Sequence, residues 1–87
     1  MSHLSERLYG KDKLHTYKIS FRHNDEIFEE YIHCFVIKWH DLDRFERPAC
    51  ITIKQVHNLQ HYLKGMKGRT SERVLKTADL EYVYFPY

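Results

Sequence analysis

Seven histidines in 87 residues make metal binding the first chemistry to weigh. His57 and His61 stand at i, i+4, a spacing that sets two imidazoles on one face of a helix, and Cys34 and Cys50 could complete a four-ligand site. The cysteines argue against it. They lie far apart, neither has a near partner, and Cys34 sits in an apolar run where a thiol is simply a small hydrophobic group. His57 and His61 are therefore expected on a solvated helix face. His40-Asp41-Leu42-Asp43 with Glu46 gathers an imidazole and carboxylates, the minimum for general acid–base work or a divalent cation, but any charged loop of that length holds as much. There is no Gly-rich phosphate loop, no serine elbow and no cysteine beside a base. The expectation is a non-enzyme with no catalytic residue, metal or cofactor.

Two other groups of residues point to binding. From Arg47 to Lys76 there are seven Lys/Arg against the single acid Glu72, whereas Asn24 to Glu46 holds seven acids against Lys38 and Arg44. A formal net charge of +2 conceals this segregation, which raises the local concentration of oppositely charged partners. Within the basic half, Lys54, Lys64, Lys67 and Arg69 cluster with Gly65 and Gly68, a pattern that can follow a phosphate backbone. The second group is Tyr82, Tyr84 and Tyr87, which with Phe85 crowd the last six residues. On a strand Tyr82 and Tyr84 share one face, and exposed tyrosines at a sheet edge favour protein contacts.

The chain must position these groups with one small core. Eighty-seven residues suit a single domain with no cleft between domains, and 43% apolar with 15% aromatic content supports a packed interior rather than disorder. No apolar run reaches the length of a membrane span, and two cysteines are too few for a secreted disulfide scaffold, so a cytoplasmic chain with reduced thiols is expected.

Residues 1–13 are polar, with Leu4, Leu8 and Tyr9 as anchors, and are expected to form a loose arm, or else a short docked helix, ahead of a single domain over 14–87. Tyr17, Ile19 and Phe21 alternate with Lys18, Ser20 and Arg22 as a half-buried strand does. His23-Asn24-Asp25-Glu26 supplies turn-forming residues that could close a hairpin or cap a helix. Ile27 to Trp39 then fits two patterns. Its apolar residues fall on one helical face behind an acidic start, yet its β-branched and aromatic content suits a strand. The preferred expectation is a hairpin that sets Phe28 opposite Phe21 and Ile32 opposite Tyr17, with Glu29 diagonal to Lys18 and Arg22. Phe35-Val36-Ile37-Lys38-Trp39 resembles a strand of chromo-type domains over those five residues, and the Trp and acidic signature of methyl-lysine readers does not follow it. Residues 41–48 form a charged connection. Thr52 with Gln55 makes a capping box, and Ile51 with Val56 a hydrophobic staple, for a helix running to about Lys64. The alternative is a third strand over Cys50–Lys54 with a shorter helix after it. Arg73–Lys76 and Leu80–Phe85 read as two strands, paired about Thr77–Asp79.

The predicted fold is thus α+β: ββα followed by one or two C-terminal strands, with the helix on one face of an antiparallel sheet. The expected function is a non-catalytic protein-binding module, an inhibitor, adaptor or accessory factor. It would bind through Tyr82, Tyr84 and Tyr87 and a charged surface, with self-association through a sheet edge among its options. The alternative is nucleic-acid binding through Lys54, Lys64, Lys67 and Arg69.

Overall fold

The computed structural model describes residues 4–66 and 68–84. The alternating segment forms β1 (Leu14–His23), which folds back into the 17-residue β2 (Glu26–Leu42). Asn24 and Asp25 make the turn with φ of 50° and 63°. Two left-handed residues give the turn a twist that matches the strands, and Asn and Asp tolerate that region well. The register is the expected one, with Phe21 opposite Phe28 and Tyr17 opposite Ile32. Lys18 reaches the diagonal Glu29 at 3.6 Å. Residues 27–39 are therefore strand and not helix, as their β-branched and aromatic content favours.

A short loop leads from β2 into β3 (Pro48–Val56), and its Asp43 carboxylate accepts the N–H groups of Phe45 (2.8 Å) and Arg47 (2.9 Å). Here the capping-box expectation fails. Thr52 lies within β3, and its hydroxyl hydrogen-bonds His40 Nε2 across the sheet at 2.6 Å. A cap satisfies one or two backbone groups, whereas β3 lies between β2 and β4 (Thr70–Lys76) and is paired along both edges. Ile51 and Ile53 point inward and are fully buried, which an alternating strand achieves and a narrow helical stripe would not. The helix that does form, α2 (Leu59–Leu63), has five residues, none buried, and starts at Asn58, whose side chain accepts the His61 N–H. The chain continues through β4 (Thr70–Lys76), a 3₁₀ turn (Thr77–Asp79) and β5 (Leu80–Val83). These last strands do not pair with each other, contrary to the expected hairpin: β4 pairs with β3, and β5 with β1.

The result is a sheet-rich single domain, a five-stranded antiparallel sheet in the order β4-β3-β2-β1-β5 with two short helices, rather than a sheet with a long helix laid on it. Its outermost strands are joined by three residues, and that forces it to curl. Lys76 pairs with Cys50, which faces His40 of β2, whereas Leu80 pairs with Ile19, which faces Glu30. On a flat sheet those ends would lie about 33 Å apart along β2 and about 19 Å apart across the strands. Four Cα steps span at most about 15 Å. β2 accommodates the curl by carrying β1 on its first half and β3 on its second, with a register shift between Val36 and Lys38. Thr77 fixes the closure by donating to the Pro48 carbonyl at 2.6 Å. Between the two halves lie Tyr17, Ile32, Cys34, Val36, Ile51, Ile53 and Leu75, flanked by Tyr9, Ile19, Trp39 and Leu80.

The N-terminal segment is not a loose arm through Tyr9: Leu4–Tyr9 forms α1. Three carbonyls in succession at its C-terminal end accept hydrogen bonds from the sheet. Tyr17 Oη donates to Leu8 O (2.7 Å), Trp39 Nε1 to Tyr9 O (2.8 Å) and His15 Nε2 to Gly10 O (2.7 Å). Such carbonyls have no partner within a helix, so side chains from β1 and β2 supply what α1 lacks. Gly10 is buried, and a Cβ there would meet the Glu6 carbonyl oxygen at 2.6 Å. Gly10→Ala should therefore destabilise the fold by about 1–3 kcal/mol, measured as a lower urea midpoint.

His15 is neutral in this clasp, because its Nδ1 is buried with no hydrogen-bond partner among the described residues. Burial lowers its pKa, against the bond to Gly10, and nearby Lys13 lowers it further; burial also lowers that of His33. The unfolded chain then binds more protons, so this stability is whole above the unfolded pKa of about 6.5 and is lost as pH falls from there toward the folded value. The urea midpoint should drop between pH 7.5 and 5.5, and His15→Gln, which keeps a donor without titrating, should flatten that drop.

Candidate protein-binding surface

The sequence-predicted tyrosines divide. Tyr82 lies in β5 opposite Tyr17, and its ring meets His15 and Tyr17 edge-on at centroid distances of 5.8 and 5.7 Å. It is still 45% exposed, so one side of the ring packs while the other faces solvent. Tyr84, just beyond β5, is 79% exposed. Tyr87 lies outside the described residues. On the other face of this half-sheet, Glu81 and Glu29 flank Lys18 at 3.2 and 3.6 Å. This bridge links β5, β1 and β2, and the hydrogen bond that Lys18 donates to Glu81, helped by the charge of Glu29, raises the lysine pKa.

A second aromatic surface was not singled out in the sequence. β5 pairs with β1 only over Thr16–Ile19, and β3 pairs with β2 only from Cys34 onward. The hairpin from Ser20 to Glu29 therefore extends as a two-stranded ribbon, and every residue along it is exposed. It carries Phe21 and Phe28, stacked at 5.7 Å on one face, and Ile27, 69% exposed, on the other. A two-stranded ribbon is only marginally stable in water, and this one carries exposed apolar side chains on both of its faces. Local sequence showed the hairpin but not that its neighbours stop short. Phe21 follows Tyr17 and Ile19 on one face of β1, and Tyr82 is paired with Tyr17, so ribbon and tyrosine lie along the same side of the sheet. The floor between ribbon and core is polar: Arg73 reaches Glu30 at 3.4 Å and Gln55 at 3.1 Å.

The basic set is scattered. Lys54 is on the outer face of β3, Lys64 caps the C-terminal end of α2, Arg69 precedes β4, and Lys67 lies outside the described residues. They do not share one helix. Lys54 does line an open groove of ≈ 410 Å³ with Lys11, Phe35, Ile37, Val56 and Tyr62, where Phe35 and Tyr62 meet edge-on at 5.5 Å.

The metal candidates are also dispersed. His57 lies outside α2 and bonds Ser71 Oγ at 2.7 Å, so it does not share a helical face with His61. Cys34 is buried and its thiol is pushed up to about 12 by burial, while Cys50 is half-buried; both are free. Among the described residues no three His, Cys, Asp or Glu side chains are grouped to hold a metal, and no helix is long and apolar enough to cross a membrane. Comparison with known proteins finds no family model, no characterised protein and no solved structure that matches this chain.

The two tyrosines should separate on mutation. Tyr82→Ala loses ring contacts and part of its burial and should cost about 1–2 kcal/mol. Tyr84→Ala should stay within about 0.5 kcal/mol of the parent, as an exposed substitution does. Paired denaturation curves measure both.

Proposed function

We propose that the protein is a non-catalytic protein-binding module whose contact surface is the Ser20–Glu29 ribbon together with the exposed side of Tyr82 and Tyr84. It would act as an inhibitor, adaptor or accessory factor, in the cytoplasm. The observation that carries this is the ribbon itself, which exposes Phe21, Ile27 and Phe28, with no covering layer among the described residues. Its end also sets a partner's chemistry. Asp25 and Glu26 lie at the turn, whereas Glu29 and Glu30 are already bridged to Lys18 and Arg73. An apolar cleft bordered by lysine or arginine would accept the phenylalanines and neutralise the acidic turn.

A second reading, binding to a nucleic-acid backbone, is favoured by one feature. Lys11 and Lys54 line the same groove as Phe35 and Tyr62, cations beside rings on which a base could stack. The two differ in salt response, because neutralising several phosphates makes affinity fall steeply with salt.

Capture by the tagged chain, analysed for protein and nucleic acid, tests both. A protein partner should survive nuclease treatment and high salt, and Phe21→Ser/Phe28→Ser should reduce its capture at least about tenfold with the melting temperature unchanged. Equal capture by the ribbon variant would overturn the assignment. Capture of nucleic acid, abolished by reversing Lys54, Lys64, Lys67 and Arg69 together, would favour the second reading.

A further inference from the structure

β4 forms an edge of the sheet in the order β4-β3-β2-β1-β5, and among the described residues no strand pairs with its outer side. It runs seven residues in unbroken register with β3, from Val56↔Thr70 to Cys50↔Lys76, with no proline, glycine or bulge. Proline and bulges are two of the devices that blunt an edge against pairing with another chain; charged side chains are a third, and β4 carries those, so what it can pair with depends on how the charges are placed. Leu75 is buried and Arg73 half-buried beneath the strand, so Glu72, Val74 and Lys76 form its solvent face, with Val74 67% exposed at the centre. The row reads acid, valine, base at two-residue intervals. That order is self-complementary: an antiparallel copy centred on Val74 sets Val74 against Val74 and each Glu72 against the other chain's Lys76. Lys54, opposite Glu72 on β3, extends each row so that Glu72 lies between two lysines.

Other edges lack this property. β5 has only four residues, and a symmetric pairing of the open side of β2 centred on its acidic stretch would bring either Glu29 or Glu30 against its own copy. We propose that the protein forms a two-fold homodimer by antiparallel β4–β4 pairing centred on Val74, which joins the two sheets across the axis. The contact is isologous, so it closes at two copies rather than growing into a filament. It uses a different strand from the ribbon and Tyr82, and does not depend on the partner proposed for them.

The test is a charge exchange read by sedimentation velocity over a concentration series. The wild-type chain should show a concentration-dependent dimer. Glu72→Lys alone and Lys76→Glu alone each place two like-charged pairs at the contact and should weaken association about tenfold or more. Mixing the two single variants should restore a dimer, because position 72 of each chain then meets the opposite charge at position 76 of the other. The double variant Glu72→Lys/Lys76→Glu should dimerise by itself. Restoration by mixing also excludes misfolding as the cause of the single-variant loss. A wild-type chain that stays monomeric throughout the series overturns the proposal. So does a dimer indifferent to the single reversals, or a mixture of single variants that remains monomeric.

Discussion

Three residues, Thr77–Asp79, connect strands at opposite edges of a five-stranded sheet, and most of the architecture follows from how short that connection is. The end of β4 can reach the start of β5 only if the sheet coils. β2 must then bend and serve two half-sheets in turn, β1 and β5 on its first half, β3 and β4 on its second. The side chains pointing into the bend become the core. Tyr17 and Ile32 come from one half, Ile51, Ile53 and Leu75 from the other, and Cys34 and Val36 lie between them on β2. Thr77 matters because its hydroxyl holds the connection to the first carbonyl of β3.

A coiled sheet of this size leaves its core open on one side, and α1 covers part of that opening. The helix is too short to be stable alone. Its last carbonyls are instead satisfied by the phenol of Tyr17, the indole of Trp39 and the imidazole of His15. The same bonds settle the polar ends of three large rings that would otherwise be costly to bury, so helix and rings are each stable only because of the other. The arrangement is incomplete at His15 Nδ1, and that missing partner ties the clasp to pH.

Unequal strand lengths decide which surfaces remain available. β1 and β2 continue beyond the reach of β5 and β3, so their far ends are bare on both faces and carry phenylalanine and isoleucine into solvent. β4 ends the sheet on the other side with a regular edge and a balanced charge row. The ribbon is acidic at its turn and apolar on its faces, whereas the β4 row alternates acid, valine and base.

What the amino-acid sequence determined by itself is what local physics controls. Alternation in Tyr17–Arg22, the left-handed preference of Asn24 and Asp25, and the β-branched content of Tyr31–Trp39 specify a hairpin and its register, because strand period and turn type leave little freedom once a two-residue turn is set. Thr52 shows the limit. Its capping box is a valid local signal, but it competes with strands on both sides of β3, and that pairing exists only once β2 and β4 are in place. Likewise, nothing near Leu80–Val83 says that its partner is β1, some sixty residues earlier, rather than adjacent β4. The candidate surface divides along the same line. Tyr82 and Tyr84 stood out by composition, whereas Phe21, Ile27 and Phe28 looked like ordinary sheet residues. Only the tertiary structure, by ending β5 and β3 short of the hairpin tip, left them exposed, since exposure depends on which distant strands arrive alongside and not on the residues themselves.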